Sequence, residues 1–406
     1  MVWLPLFLLL LSFAGVLHTY VTYPAYVRWA AARRCKEPSP DPAPTEWPTV
    51  HLIMAVHNEE SVLAEKLRSL AALEYAGPLH FHLCSDRSTD GTDRMLRAFA
   101  HAHTDSVHTY FNARRMGKPA TVNRVVADLP GTGVYVLTDA SVLLTAGVVT
   151  ELVEPMLRND RIGVVDARMV HTGITDHGIS RFEDSYINRE VAIKLAESCL
   201  WQAMVGPFGG CWAIRAEAFS PVPDNFLVDD FYLCMAAYEA GWMGVSNERA
   251  VVFEGVGQRL ADEFRRKRRI GAGNWQNLLR FRHLWWPPWR DPLAFAFFSH
   301  KVLRWITPLL LLLGGLSYVA VILLSGNYWA TALFVVLCGA ILLAVVTEPL
   351  LLRLGIPCTR VRALRYFLAM NLALLLGFFR FLKGIKSNVW QPSHRHQDPG
   401  SLRNTR

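Results

Sequence analysis

Asp139 stands at the end of an apolar, β-prone run, Val134-Tyr-Val-Leu137, with Thr138 before it and Ser141 two positions on. Such a run reads as a buried parallel strand. In open α/β sheets, ligands bind just beyond the carboxyl ends of strands. A carboxylate there, followed two residues later by a short hydroxyl side chain, suits a divalent metal holding a pyrophosphate. A plain turn uses the same residue types.

Other stretches carry related chemistry. His57-Asn-Glu-Glu60 follows the first apolar run. It puts polar groups where a nucleotide would bind, and Asn58 with two acids also makes an ordinary helix start. Ser85-Asp-Arg-Ser-Thr-Asp-Gly-Thr92 follows the second run, and Asp86 could accept from a base N–H or a ribose hydroxyl. Arg115-Met-Gly-Lys118 sets a lysine at a helix start, where the dipole disfavours a cation unless an anion such as a diphosphate sits nearby. Gly206-Pro-Phe-Gly-Gly-Cys-Trp212 allows close approach of backbone to a ligand, or a tight structural turn. Asp229-Asp230 opens a helix and supplies a candidate general base. Arg265-Arg-Lys-Arg-Arg269 is the densest basic run, suited to a membrane surface or to a diphosphate leaving group.

Alternating strands and helices must position these groups. Strands are expected at Val50–Val56, 79–85, 106–111, 134–137 and 162–167. Helices are expected at 59–73, 91–102, 119–129, 180–197 and 229–240. Alternation with short connections predicts a mostly parallel, three-layer α/β sheet.

The 406 residues carry a net charge of +8 and are 52% hydrophobic, with a mean hydropathy of +0.20. The apolar excess lies at the two ends, which predicts membrane segments around a soluble middle. Residues 2–26 lack charge and are long enough to span a bilayer. Arg28, Arg33, Arg34 and Lys36 follow them, placing the next domain in the cytosol by the positive-inside rule. Prolines 38, 40, 42, 44 and 48 make a stiff linker. Residues 284–300, rich in Trp, Phe and Pro, read as an amphipathic segment in the membrane interface. Residues 305–324 and 328–346 are long enough to cross, while 366–379 is of a length at which spanning and interfacial helices look alike. Seven scattered cysteines without C-x-x-C spacing indicate neither a zinc site nor a disulfide framework, and suit a reduced compartment. The basic balance fits membrane lipid or a phosphorylated substrate. Nothing indicates nucleic acid, and nothing identifies a partner subunit.

In order and spacing these motifs resemble the family 2 glycosyltransferases, in the membrane-embedded branch of cellulose, chitin and hyaluronan synthases. The resemblance extends to Ser299-His-Lys-Val-Leu-Arg-Trp305 and Val389-Trp-Gln-Pro-Ser-His-Arg395 in the flanking segments. It implies a GT-A domain, a Rossmann-like mixed sheet, over 49–283. The anchor would be 1–27, the basic and Pro-rich linker 28–48, and the interfacial segment 284–300. Two to three membrane helices would occupy 301–384, and a polar tail 385–406.

By position, the resemblance makes Glu59 and Asp86 nucleoside contacts and Lys118 a diphosphate contact. Asp139 is the first acid of the D-x-D metal motif, with Ser141 at the second. Asp230 is the catalytic base, and Arg266 and Arg269 fall in the Q/R-x-x-R-W region. Gly210, Cys211, Trp212 and Asp229 are expected on the acceptor side. The implied activity is inverting transfer from a nucleotide-sugar, UDP-linked, with Mg²⁺ or Mn²⁺. The acceptor is a polysaccharide, as in exopolysaccharide synthesis, or a lipid, at the cytosolic face of the plasma membrane. Ser141 for Asp and Ile270 for the motif's tryptophan depart from the pattern. The second departure leans toward single-sugar transfer to a lipid. A non-catalytic nucleotide-binding membrane subunit is the alternative from another class.

Overall fold

In the computed structural model, residues 2–35, 46–174, 179–257, 259–354 and 359–389 are described. The chain begins with α1 (Trp3–Leu17), a π-helical turn (His18–Thr22) and α2 (Tyr23–Arg34). These form one continuous helix, so the anchor runs through the basic residues expected to start a linker. Most of the proline run falls outside the described residues.

Next come β1 (Val50–Val56), α3 (Glu60–Ala71), β2 (Leu79–Ser85), α4 (Thr92–Ala102), β3 (Val107–Phe111), α5 (Lys118–Ala127) and β4 (Val134–Thr138). All seven lie within two residues of the expected bounds, because β1 and β4 are nearly unbroken apolar runs and polar loops bound each element. All of β1 and all of β4 are buried. The second half adds β5 (Val142–Leu144), α6 (Val148–Arg158), β6 (Ile162–Thr172), α7 (Ser180–Trp201), β7 (Cys211–Arg215), α8 (Asp229–Glu239) and β8 (Met243–Gly255).

The eight strands are ordered β3-β2-β1-β4-β7-β6-β8-β5. The first four are parallel. The expectation of a mostly parallel sheet fails in the second half. There β7 runs antiparallel between β4 and β6, and β5 runs antiparallel to β8. In the sequence β7 shows only as the end of a glycine stretch. β8 had no expected counterpart, because Ser246 to Arg249 interrupt its apolar pattern at a bulge where Ala167 pairs with Asn247 and Arg168 with Val251. The result is a mixed, curved sheet of GT-A type with helices on both faces.

One face is covered by α3 and α6, with Leu63, Leu70, Leu152 and Val153 fully buried. The other face is covered by α5, α7 and α8, and its core continues into Tyr23, Val27, Phe297, Val302 and Trp305. This face of the sheet and the flanking apolar helices therefore share one core.

After β8 come α9 (Leu260–Arg280), α10 (Arg282–Trp285), α11 (Pro292–Ala296), a π-helical turn (Phe297–Val302), α12 (Leu303–Ser325), α13 (Tyr328–Arg353) and α14 (Thr359–Leu382). Within the expected interfacial segment 284–300, Trp286 and Trp289 are exposed. Phe297, Ser299 and His300 are fully buried. His300 Nδ1 meets Glu197 Oε1 of α7 at 2.7 Å, so this stretch is core rather than interface. Among the described residues four helices are long and apolar enough to cross a membrane: Trp3–Arg34, Pro292–Ser325, Tyr328–Glu348 and Thr359–Leu382.

The reading of the cysteines as unpaired is also corrected. Cys35 after α2 and Cys199 on α7 are disulfide-bonded, with Cα atoms 6.0 Å apart. Their separation of 164 residues leaves no local spacing to read. Cys358 lies outside the described residues.

Candidate functional site

The loops after β1, β2 and β4 meet at the carboxyl edge of the parallel strands. Two of them brace each other. Thr89 N–H donates to Asn58 Oδ1 at 2.7 Å, and Gly91 N–H to Glu60 Oε2 at 2.9 Å. Glu59 stands at the cap of α3, its N–H donating to Thr92 Oγ1 at 3.0 Å.

Asp86, expected at the nucleoside, lies at the end of β2 beside the loop before α5. It is fully buried. Oδ1 accepts from Asn112 Nδ2 at 3.0 Å and Met116 N–H at 2.8 Å. Oδ2 accepts from Gly117 N–H at 2.9 Å and Arg115 Nε at 3.2 Å. A carboxylate offers about four acceptor positions, and these donors fill them. Burial alone would raise the carboxyl pKa, but the donors outweigh it and hold it below the ordinary value. Asp86 thus folds the 115–118 loop.

That loop delivers Lys118. Gly117 has φ +88°, a conformation that favours glycine. Lys118 Nζ lies 2.6 Å from Asp139 Oδ1 and 3.9 Å from Asp229 Oδ2. Burial lowers the lysine pKa, but Asp139 and then Asp229 more than reverse it, so the ammonium stays charged. Asp230 is beside them. Burial first, and Asp229 next, push its pKa up to about 6. Its Oδ2 lies where a Cβ on Gly209 would come within 2.2 Å. Gly209 therefore makes room for the acid.

The rest of the glycine stretch is likewise filled by protein. Cβ atoms on Gly206 and Gly210 would meet the rings of Phe231 and Phe208, each at 2.6 Å. Gly210, Cys211 and Trp212, expected on the acceptor side, do not reach the surface. All three are buried at the start of β7, with Trp212 1% exposed in the core. The strand partners of Cys211 and Trp212, Thr138 and Leu137 on β4 and Asp166 on β6, come from distant parts of the chain.

Helix α9 holds the loop before the acid pair. Arg269 Nη1 donates to Leu227 O at 3.0 Å, Gln276 Nε2 to Asn225 O at 2.9 Å, and Asn277 Nδ2 to Val228 O at 3.1 Å. Burial lowers the Arg269 pKa, and Asp229 and Asp230 are among the charges it feels. Arg266, expected beside Arg269 at the diphosphate, instead contacts Glu183 at 3.4 Å and Glu263 at 3.6 Å. The two arginines sit three positions apart, yet only one faces the acids.

Two residues at the site went unnoticed in the sequence. Glu254 of β8, 5% exposed, accepts from Ser141 Oγ at 3.1 Å. Lys66 of α3, fully buried, donates to Thr138 Oγ1 at 2.8 Å and Val142 O at 2.6 Å, bracketing the Asp139 turn. A lysine in an amphipathic helix gives no signal that it points inward.

Asp139, Ser141 and Glu254 provide only hard oxygen donors, the type that Mg²⁺ and Mn²⁺ take. Among the described residues no group of three His, Cys, Asp or Glu could hold a metal alone. The residues fit an ion whose shell is completed by substrate phosphate, the usual arrangement for Mg²⁺.

Residues 51–222 match the sequence profile of Glycosyl transferase family 2. The match spans β1 to β7 and the loops that carry Asp139 and Lys118. EpsE of Bacillus subtilis (strain 168), named as a glycosyltransferase, is 32% identical over 84 residues, or 21% of this chain. The chain spans 30% of that relative's length. The mannosyltransferase PcManGT of Pyrobaculum calidifontis, solved with GDP-Man and Mn²⁺, superposes with a TM-score of 0.66 at 22% identity. The match covers 92% of this chain and 99% of that one. It shows a shared fold that extends beyond the glycosyl transferase domain into the flanking helices.

Proposed function

We propose that the protein is an inverting glycosyltransferase that moves a hexose from a nucleoside-diphosphate sugar to an acceptor hydroxyl at a membrane surface. The carrying observation is the cluster of Asp139, Asp229 and Asp230 around Lys118, with Asp230 held near pH 6. A base of that pKa is mostly ionised at neutral pH and still able to take a proton.

In this reading Asp230 accepts the proton of the acceptor hydroxyl. The hydroxyl oxygen bonds to sugar C1 as the bond to the diphosphate breaks. Lys118 releases its contact with Asp139 to meet the diphosphate, and Arg269 faces the same charge. Mn²⁺ or Mg²⁺, held by Asp139 with Ser141 and Glu254 alongside, would neutralise charge on the leaving group. Preorganised charges of this kind supply most of the stabilisation in such transfers.

The donor nucleotide is UDP or GDP. UDP is the expectation from the sequence, and GDP-Man is the ligand named for PcManGT. The acceptor is a lipid or a growing polysaccharide, and Ile270 favours a single transfer to a lipid. We place the 49–283 domain in the cytosol at the plasma membrane, on the strength of Arg28, Arg33 and Arg34 at the end of the first helix. A purely nucleotide-binding subunit would have no need of an acid with a raised pKa.

The test uses full-length protein purified in detergent, Mn²⁺, and a panel of UDP- and GDP-sugars with lipid and glycan acceptors. Nucleoside diphosphate release and a glycosylated product are expected. Nucleotide binding without release for any donor and acceptor would refute the enzymatic reading.

A further inference from the structure

The chain returns to the catalytic cluster after its last apolar helix. α14 lies directly on α9. A Cβ on Gly377 would come within 2.8 Å of Arg268 O and 2.9 Å of Ala272 N, and one on Gly271 within 3.2 Å of Leu374 Cα. Glycine on both helices lets the backbones touch. Residues 384–389 then cross from α14 toward the loops that carry Lys118 and Asp229-Asp230. Asn225 Nδ2 donates to Ile385 O at 3.4 Å. Asn388 is 4% exposed, although Val389 beside it is 45% exposed.

Asn388 touches both loops at once. Its Nδ2 donates to Phe226 O. Its Oδ1 occupies the space beside Gly117, where an added Cβ would come within 2.5 Å. The carbonyls leading to the acid pair are thereby held in succession. Asn225 O is held by Gln276, Phe226 O by Asn388, Leu227 O by Arg269, and Val228 O by Asn277. Three of the four donors come from α9, which has no described hydrogen bond to the 115–118 loop. Asn388 alone among these donors also meets that loop, one residue before Lys118.

We propose that Asn388 is a positioning residue that fixes the spacing between Lys118 and the Asp229-Asp230 pair. The inference rests on the transfer reading above, in which Lys118 meets the leaving group and Asp230 the acceptor. Those groups act on opposite sides of one sugar carbon, so their separation matters most in the transition state. Misplacement of a reacting group by about 1 Å costs on the order of 100-fold in rate. Nucleotide binding alone draws on the Lys118 side, which Asp86 folds independently.

The test is Asn388→Asp, which keeps the shape and Oδ1 but removes the donor to Phe226 O, alongside Asn388→Ala, Gly117→Ala and the Gly117→Ala/Asn388→Ala double variant. All are assayed as full-length protein in detergent. For Asn388→Asp we expect kcat to fall about 10- to 100-fold. The affinity for UDP or GDP with Mn²⁺ should stay at the wild-type value, while the thermal midpoint falls by a few degrees because Phe226 O loses its donor. Gly117→Ala and Asn388→Ala should combine to less than the product of their single losses, because each acts on one contact. Unchanged kcat in Asn388→Asp overturns the proposal. So does a loss accompanied by equally weakened nucleotide binding, which would make Asn388 part of the general fold. Multiplicative losses also overturn it. An inactive wild type refutes the transfer reading and this inference with it, whereas an active wild type with an unaltered Asn388→Asp refutes this inference alone.

Discussion

Replacing Lys66 with methionine should separate stability from activity. Lys66 is fully buried, with its two hydrogen bonds to Thr138 Oγ1 and Val142 O. A neutral amine has two N–H groups, and both are used. Burial lowers its pKa from 10.5 to about 7, despite the opposing Cys211 and Asp139 charges. Between these values the unfolded chain holds a proton that the folded chain has lost, so stability rises with pH. The slope approaches 1.4 kcal/mol per pH unit, and about 3 kcal/mol accrues from pH 7 to 9.5. Lys66→Met removes that dependence and leaves Val142 O without its donor, at a cost of about 1–3 kcal/mol. The variant should be at least as stable as wild type at pH 7 and fall behind by pH 9.5. At about 2–4 °C per kcal/mol, the difference in melting temperature should move by roughly 6–12 °C over that range. The transfer rate should drop throughout, because the Asp139 turn loses its bracket. Melting curves of the two proteins at half-unit pH steps, read by tryptophan fluorescence, check this. Parallel dependences would refute the buried, deprotonating lysine, and full activity in Lys66→Met would refute its role in holding the turn.

Asp230→Asn should reduce kcat by about 10²–10⁴-fold while UDP or GDP binding, measured by calorimetry, stays intact. In wild type the rate should fall as pH drops through about 6, where Asp230 gains its proton, and a flat profile from pH 5 to 8 would rule the base out. Ser141→Asp should lower the Mn²⁺ concentration needed for half-maximal activity, by adding a third carboxylate to Asp139 and Glu254; a metal titration at fixed donor reads this. Burial, then His51 and His108, lower the His82 pKa to about 3, while its ring bonds His51 at 3.0 Å and the Tyr110 hydroxyl at 3.2 Å. Such a histidine favours folding above pH 6.5 and withdraws about 1.4 kcal/mol per unit below it. His82→Phe should therefore melt with a shallower acid dependence than wild type.

The first half of the domain was legible because its signals are local. An apolar run ending in polar residues specifies a buried strand and its loop, and Asp139, Lys118 and Asp230 all occupy such ends or the adjoining helix starts. The antiparallel β7, the bulged β8 and the buried 297–300 turn were not legible. Each depends on which distant surface covers it. The same limit applied to roles. Asp86 looks like an open acceptor until Asn112, Arg115 and two backbone N–H groups occupy it. Trp212 looks like an acceptor platform until β7 is inserted between β4 and β6.

What the amino-acid order determined by itself was the alternation of strands and helices, the apolar ends, and the edge of the sheet where the acids gather. Only the tertiary structure decided which polar groups face that edge. A side chain's hydrogen bonds and burial come from residues that are far away in sequence. Lys66 beneath Asp139 and Asn388 between Gly117 and Phe226 owe their places to contacts that no local pattern records.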